Sequence, residues 1–148
     1  MDTDFYRKTI GGLLLASCVL LFSQSPVMAE SPNDLLIIVN KKFEYSSLTI
    51  TEVKRIFRKE MTTYKGTSVK PIHAKMGSPL RDIFVSKVLG MNVSAEQKYW
   101  QDMMVKKGMR PPSELSNTVR GVFSAPGAMS YCFRRDFSPI TAKIVLEL

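Results

Sequence analysis

The chain has 148 residues, of which 45% are hydrophobic, and carries a formal net charge of +8 with one histidine and two cysteines. This length suits one domain with its own core. So few Cys and His residues argue against a structural zinc site or a disulfide framework, and the scattered basic residues form no stripe interleaved with aromatics for nucleic acid.

Residues 1–29 read as a secretion signal. Arg7 and Lys8 precede an apolar run, Ile10 to Phe22. That run is shorter than the roughly 20 residues a membrane-spanning helix needs. A polar, helix-breaking Ser23-Gln24-Ser25-Pro26 follows, and Val27-Met28-Ala29 offers small residues for cleavage after Ala29. The alternative is a lipoprotein anchored at Cys18, because Leu15-Ala16-Ser17-Cys18 resembles a lipobox. Asp2, Asp4, Arg7 and Lys8 cancel, so residues 30–148 keep the whole positive charge. That charge favours anionic ligands or acidic partners outside the cytoplasm. Cys132 lies in an apolar strand pattern and reads as a buried, inert thiol.

Leu35 to Val39 is a continuous apolar run, the mark of a strand buried on both faces. Asn40 to Ser47 is polar and loop-like. Thr49-Ile50-Thr51-Glu52 is a capping box opening a helix that should end near Lys59, with Ile50, Val53, Ile56 and Phe57 at helical spacing. Thr62 to Thr67 reads as a turn before a second strand, Val69 to Ala74. A small turn at Gly77-Ser78 leads into a helix at Pro79, since Ser is a favoured cap and Pro a favoured first residue. Leu80, Ile83, Phe84 and Val88 form its apolar stripe, and Gly90 closes it. Ser94-Ala95-Glu96-Gln97 reads as a capping box for a third helix, with Tyr99, Trp100, Met103 and Met104 in two apolar rows and Gly108 at its end. Pro111-Pro112 forbids helix and marks a rigid turn. A short helix over 117–124 should turn Val119, Val122 and Phe123 inward. Strands follow at Ala128 to Phe133 and at Ile144-Val145-Leu146. Alternating strands and helices predict an α/β fold with a mixed sheet.

The order of these pieces resembles the periplasmic phosphate-binding protein-like family, the substrate-binding components of phosphate ABC transporters. Four segments carry the resemblance. They are Leu36 to Asn40 with Ser46-Ser47-Leu48-Thr49 and Val53 to Phe57; Gly77-Ser78-Pro79-Leu80-Arg81-Asp82-Ile83-Phe84; Val88-Leu89-Gly90 with Trp100 and Gly108 to Pro112; and Ala125-Pro126-Gly127-Ala128-Met129-Ser130-Tyr131. The second is similar to the family's oxyanion loop and the helix it opens. The resemblance implies one lobe of a type II periplasmic-binding-protein-like fold over residues 30–148, a mixed sheet flanked by helices. It implies a non-enzymatic, exported binding module for phosphate or a related oxyanion, linked to ABC-type phosphate transport. No cofactor or metal is expected. The expected partners are the oxyanion, a transporter permease or another periplasmic protein, and a second copy of the chain.

A tetrahedral oxyanion needs converging donors, little steric bulk and positive charge. Gly77 lets the backbone approach. Ser78 offers a hydroxyl, the N–H groups of Ser78, Leu80 and Arg81 can face the ligand, and the Arg81 and Lys75 side chains can reach it. Ser46 and Ser47 are candidates for the same cleft. Three positions depart from the family pattern. Pro79 has no N–H, Leu80 replaces a hydroxyl, and Ala74 stands where the family has a basic residue. Each lost bond to a charged ligand is worth about 1.5–3 kcal/mol, so the grip should be weak. The competing expectation is a ligand-free interaction or sensory accessory that keeps the fold. No Ser/His/Asp, Cys/His or paired-carboxylate arrangement is readable, so an enzyme is not expected.

Overall fold

The computed structural model describes residues 30–148. The expected signal sequence, its cleavage point and the Cys18 lipobox lie outside those residues. Strand β1, Leu35–Asn40, is fully buried along its length, as its unbroken apolar run requires. It is antiparallel to β6, Ala128–Phe133, on one side and to β7, Ala142–Glu147, on the other. Strand β4, Lys70–Ala74, runs parallel to β6 and to a short β5, Ser113–Leu115. The five-stranded order is therefore β5-β4-β6-β1-β7, a mixed sheet in an α/β fold.

Helix α1, Ile50–Phe57, opens with the expected capping box: Thr49 accepts from the Glu52 N–H, and Glu52 accepts from the Thr49 N–H at 2.8 Å. It closes at Arg58, slightly ahead of the expected end. The expected turn at 62–67 is a hairpin of two-residue strands, β2 (Thr63–Tyr64) and β3 (Thr67–Ser68). Lys65 and Gly66, at φ 46° and 90°, make its tip, the left-handed pair that a tight hairpin demands. Helix α2, Pro79–Phe84, starts on Ser78 as its cap and continues as a π-helical turn, Val85–Leu89, which Gly90 ends at φ 69°.

Three expectations are corrected. Helix α3, Val93–Lys107, is capped by Asn92, which accepts from the Ala95 N–H at 2.8 Å, and not by Ser94. Asn caps as well as Ser does, so capping at Asn92 starts the helix two residues earlier than Ser94 would. Of the two apolar rows of α3 only Trp100 is buried, together with Glu96 from outside them, while Met104 is exposed and Tyr99 is half-buried with its hydroxyl on the Arg58 carbonyl. Phe123 does not turn inward. Helix α4, Thr118–Val122, stops one residue before it, and its ring is 69% exposed. Strand β5 follows Pro111-Pro112 directly and has no apolar run to announce it.

The two sheet faces carry separate cores. On one face Ile37, Val39, Met129 and Tyr131 meet α1, α2 and the π-helical turn through Val53, Phe57 and Phe84. On the other, Leu36, Ile38, Ile72, Ala128 and Cys132 meet Val122 of α4. Gly127 sits where the chain enters β6. A Cβ there would lie 1.8 Å from the Ser68 carbonyl oxygen, so only glycine permits this approach of backbone to backbone.

Candidate functional site

Because β4, β5 and β6 are parallel, their C-terminal ends at Ala74, Leu115 and Phe133 share one edge of the sheet. In open α/β sheets this edge is where ligands bind. Three connections meet there: the turn 75–78, the residues 116–117 leading to α4, and the short 3-10 turn Arg134–Asp136. They frame an open cleft of about 670 Å³, lined among others by Leu80, Ser116, Asn117, Arg120, Phe123 and Asp136. Asn117 caps α4 by accepting from the Arg120 N–H at 2.9 Å, and the Arg120 side chain is exposed. Cys132 also borders the cleft. Its thiol is buried, and desolvation followed by the Asp136 charge pushes its pKa up to about 12, so it stays protonated.

The expected oxyanion turn is largely bonded to itself. The Ser78 hydroxyl donates to the Lys75 carbonyl at 2.7 Å and accepts from the Arg81 N–H at 3.3 Å. The Ser78 N–H also goes to the Lys75 carbonyl. Gly77 takes φ 79°, the left-handed conformation that glycine tolerates, and it and Lys75 are exposed. Leu80, half-buried, reaches the cleft.

Arg81 does not reach forward. Its side chain is 1% exposed and lies under the turn. Nη2 and Nε donate to the two Glu96 carboxylate oxygens at 2.7 and 3.3 Å, a bidentate pair. Nη1 donates to the Ala74 carbonyl at 2.9 Å, and the Glu114 carboxylate stands 3.6 Å away. The Ala74 N–H donates to the Tyr131 hydroxyl at 3.0 Å. Both backbone groups at the end of β4 are thus held from beneath.

His73 completes this network. It is fully buried, and desolvation, followed by the charge of Arg81, holds its pKa well below the usual imidazole value. The ring is therefore neutral. The Tyr131 hydroxyl, which accepts from Ala74, is also hydrogen-bonded to His73 Nδ1 at 3.0 Å. His73 Nε2 faces a Glu96 oxygen at 3.7 Å, beyond a normal hydrogen bond. Tyr131 is itself pushed upward by burial and stays protonated. His73 and Tyr131 are thereby tied into the network that holds the end of β4.

Ser46 and Ser47 do not join this cleft. They border a different depression with Tyr45, Tyr64 and Lys65, beside the segment whose Leu48 N–H bonds the Val145 carbonyl of β7. Sequence reading missed Glu96, Asn117 and Arg120. The Asn117 cap was legible from its side chain. The Arg81–Glu96 pair was not, because it joins two helices without any local pattern.

No family model matches the chain, and no curated protein sequence does. Solved structures do match. An ABC-type phosphate transport receptor from Vibrio cholerae superposes with a TM-score of 0.58 at 15% identity, over 76% of this chain and 45% of that one. A Clostridium perfringens protein with bound phosphate, proposed as a phosphate ABC transporter substrate-binding protein, gives 0.56 at 18% identity, over 76% and 44%. A possible phosphate-binding protein from Planctomyces limnophilus gives 0.52 at 18%, over 76% and 40%. The chain spans less than half the length of the structures it matches, and the likeness establishes its fold: α/β, with the architecture of roughly one lobe of a phosphate-binding protein.

Proposed function

We propose that residues 30–148 form an exported, single-lobe binding module for phosphate or a related oxyanion, working with ABC-type transport machinery in the periplasm and performing no chemistry of its own. The observation that carries this reading is the shared cleft. Leu80, from the turn that resembles an oxyanion loop, and Arg120, from the start of α4, line one opening at the ligand-binding edge of the sheet. The anion takes the Leu80 N–H from the Gly77-Ser78-Pro79 turn and the exposed guanidinium of Arg120. Ser78 and Arg81 act as positioning residues: one caps α2 and the other anchors Ala74. A cleft open on one side, with Asp136 on its wall, grips an anion weakly.

Titration calorimetry tests this directly. Phosphate should bind in the millimolar range, and Arg120→Ala should weaken it about tenfold, some 1.4 kcal/mol. Unchanged binding in that variant would overturn the placement of the site.

A second reading is favoured by one observation. Arg81 is withdrawn into the Glu96 pair and Pro79 lacks an N–H, so the loop has lost its strongest donors. In that reading the module is a ligand-free interaction or sensory accessory. Absence of heat with phosphate and sulfate at 10 mM or so, well above the millimolar affinity expected, selects it.

A further inference from the structure

We infer that the cleft at the sheet edge takes an organic phosphate ester in preference to the bare anion, with Arg120 on the phosphate and Phe123 against the apolar group esterified to it. The inference rests on the reading of this cleft as an oxyanion site and names its ligand class.

Size and charge point the same way. At about 670 Å³ the cleft has the dimensions of a small-molecule site, which run from roughly 300 to 1,000 Å³. A bare tetrahedral anion fills a small part of it. Among the described residues that line it, only Arg120 and Asp136 carry charge, and their signs are opposite. An anion entering the cleft gains one guanidinium and meets one carboxylate, so electrostatics alone gives it little hold. The rest of a useful grip has to come from other surface. Leu80, Val119 and Phe123 supply it as apolar wall.

Arg120 and Phe123 are set for one ligand with two unlike ends. Phe123 closes α4 with φ −70° and ψ −20°, still helical backbone. It therefore stands one turn after Arg120 on the same side of the helix, and residues three apart on a helix have Cβ atoms about 5–6 Å from each other. Both side chains are exposed, the Phe123 ring 69% so, and both line the cleft. A cation and an uncovered ring at this spacing match a phosphate joined through one ester oxygen to an apolar body. The ring adds nothing to the core of the fold. Covering it with a ligand removes apolar surface from water, which a bare phosphate does not do.

Titration calorimetry with inorganic phosphate, methyl phosphate and phenyl phosphate reads the outcome. Phenyl phosphate should bind about tenfold tighter than inorganic phosphate, and methyl phosphate should gain much less. Phe123→Ser should bring phenyl and inorganic phosphate within about twofold of each other. The site is exposed, and circular dichroism checks that the fold is kept. Phenol should give no heat, because the phosphate is the anchor. Heat from phenyl phosphate where inorganic phosphate gives none also supports the inference. Inorganic phosphate that binds, with phenyl phosphate no tighter, overturns this inference and leaves the oxyanion site standing. A phenyl preference that survives Phe123→Ser overturns it too. Absence of heat with all three phosphates overturns the oxyanion reading of the cleft and this inference with it.

Discussion

The two faces of the sheet are built for different work. On the α1–α2 face, Phe57, Phe84, His73 and Tyr131 pack ring against ring, and Phe84 stacks on Tyr131 at 3.8 Å with an interplanar angle of 6°. Below that cluster the Arg81–Glu96 pair ties two helices and the end of β4 together. The α4 face is thin. Among the described residues one short helix and the segment around Phe137 cover Leu36, Ile38 and Cys132, and they leave Phe123 and Ile140 to solvent. One face fixes the loops, and the other leaves room beside them. A fold that presents a cleft at a sheet edge needs both, because a surface can stay open only if its supports are rigid.

Truncating the thick face should cost most. Phe84→Ala removes a fully buried ring and its stack on Tyr131, and denaturant unfolding should show a loss of about 3–5 kcal/mol. A loss below about 1 kcal/mol would mean that the aromatic cluster relaxes into the space, and the contrast between faces would fail.

Glu96→Gln should come next. It leaves the buried Arg81 guanidinium with only the half-buried Glu114 carboxylate, 3.6 Å away, as counter-charge, and weakening such a pair costs up to about 3 kcal/mol. The loss should fall mainly on the β4 end. Hydrogen exchange should show faster exchange at Ala74 N–H, while amides of β1 keep their protection. Uniform loss of protection would show that the pair stabilises the whole sheet and not the loop support.

His73 gives a pH signature. Its folded pKa lies well below its unfolded value of about 6.5. Between the two, the unfolded chain binds a proton that the folded chain does not, so stability rises with pH there. At neutral pH nothing is lost. As pH falls below about 6.5, up to about 1.4 kcal/mol per pH unit disappears until the folded pKa is reached. Thermal unfolding from pH 7 to pH 5 should show this slope, and His73→Gln, whose amide can still bond the Tyr131 hydroxyl, should flatten it. An equal slope in the variant would assign the effect to carboxylates.

Much of the scaffold was legible from short-range signals. The apolar run of β1, the Thr49–Glu52 box and the glycines at 90 and 108 each act within a few residues, and each appears where its local chemistry places it. What was not legible depends on neighbours far along the chain. β5 is three exposed residues that become a strand only because β4 offers an edge. Arg81 reads as an anion ligand at a helix start until Glu96, from another helix, claims it. The rows on α3 have the spacing of a buried helix, but only Trp100 is fully covered, and Met104 stays exposed. The cleft between Leu80 and Arg120 exists because parallel strands end together, which no single motif encodes.

Phe123 is the smallest and sharpest test of the comparison. Its spacing after Val119 and Val122 predicts a core residue, and truncating a buried Phe costs about 3–5 kcal/mol. In the structure α4 ends at Val122, so the backbone turns before the ring can reach Leu36 and Ile38, and the ring lies on the cleft wall. Phe123→Ser should therefore change stability by no more than about 0.5 kcal/mol, as exposed sites do. Val122→Ala, one residue earlier and fully buried, should cost clearly more. Measured side by side, the pair separates periodicity from helix length as the cause of burial. If Phe123→Ser proved the costlier of the two, the thin face would have to be covered in solution, and its cleft would not be open.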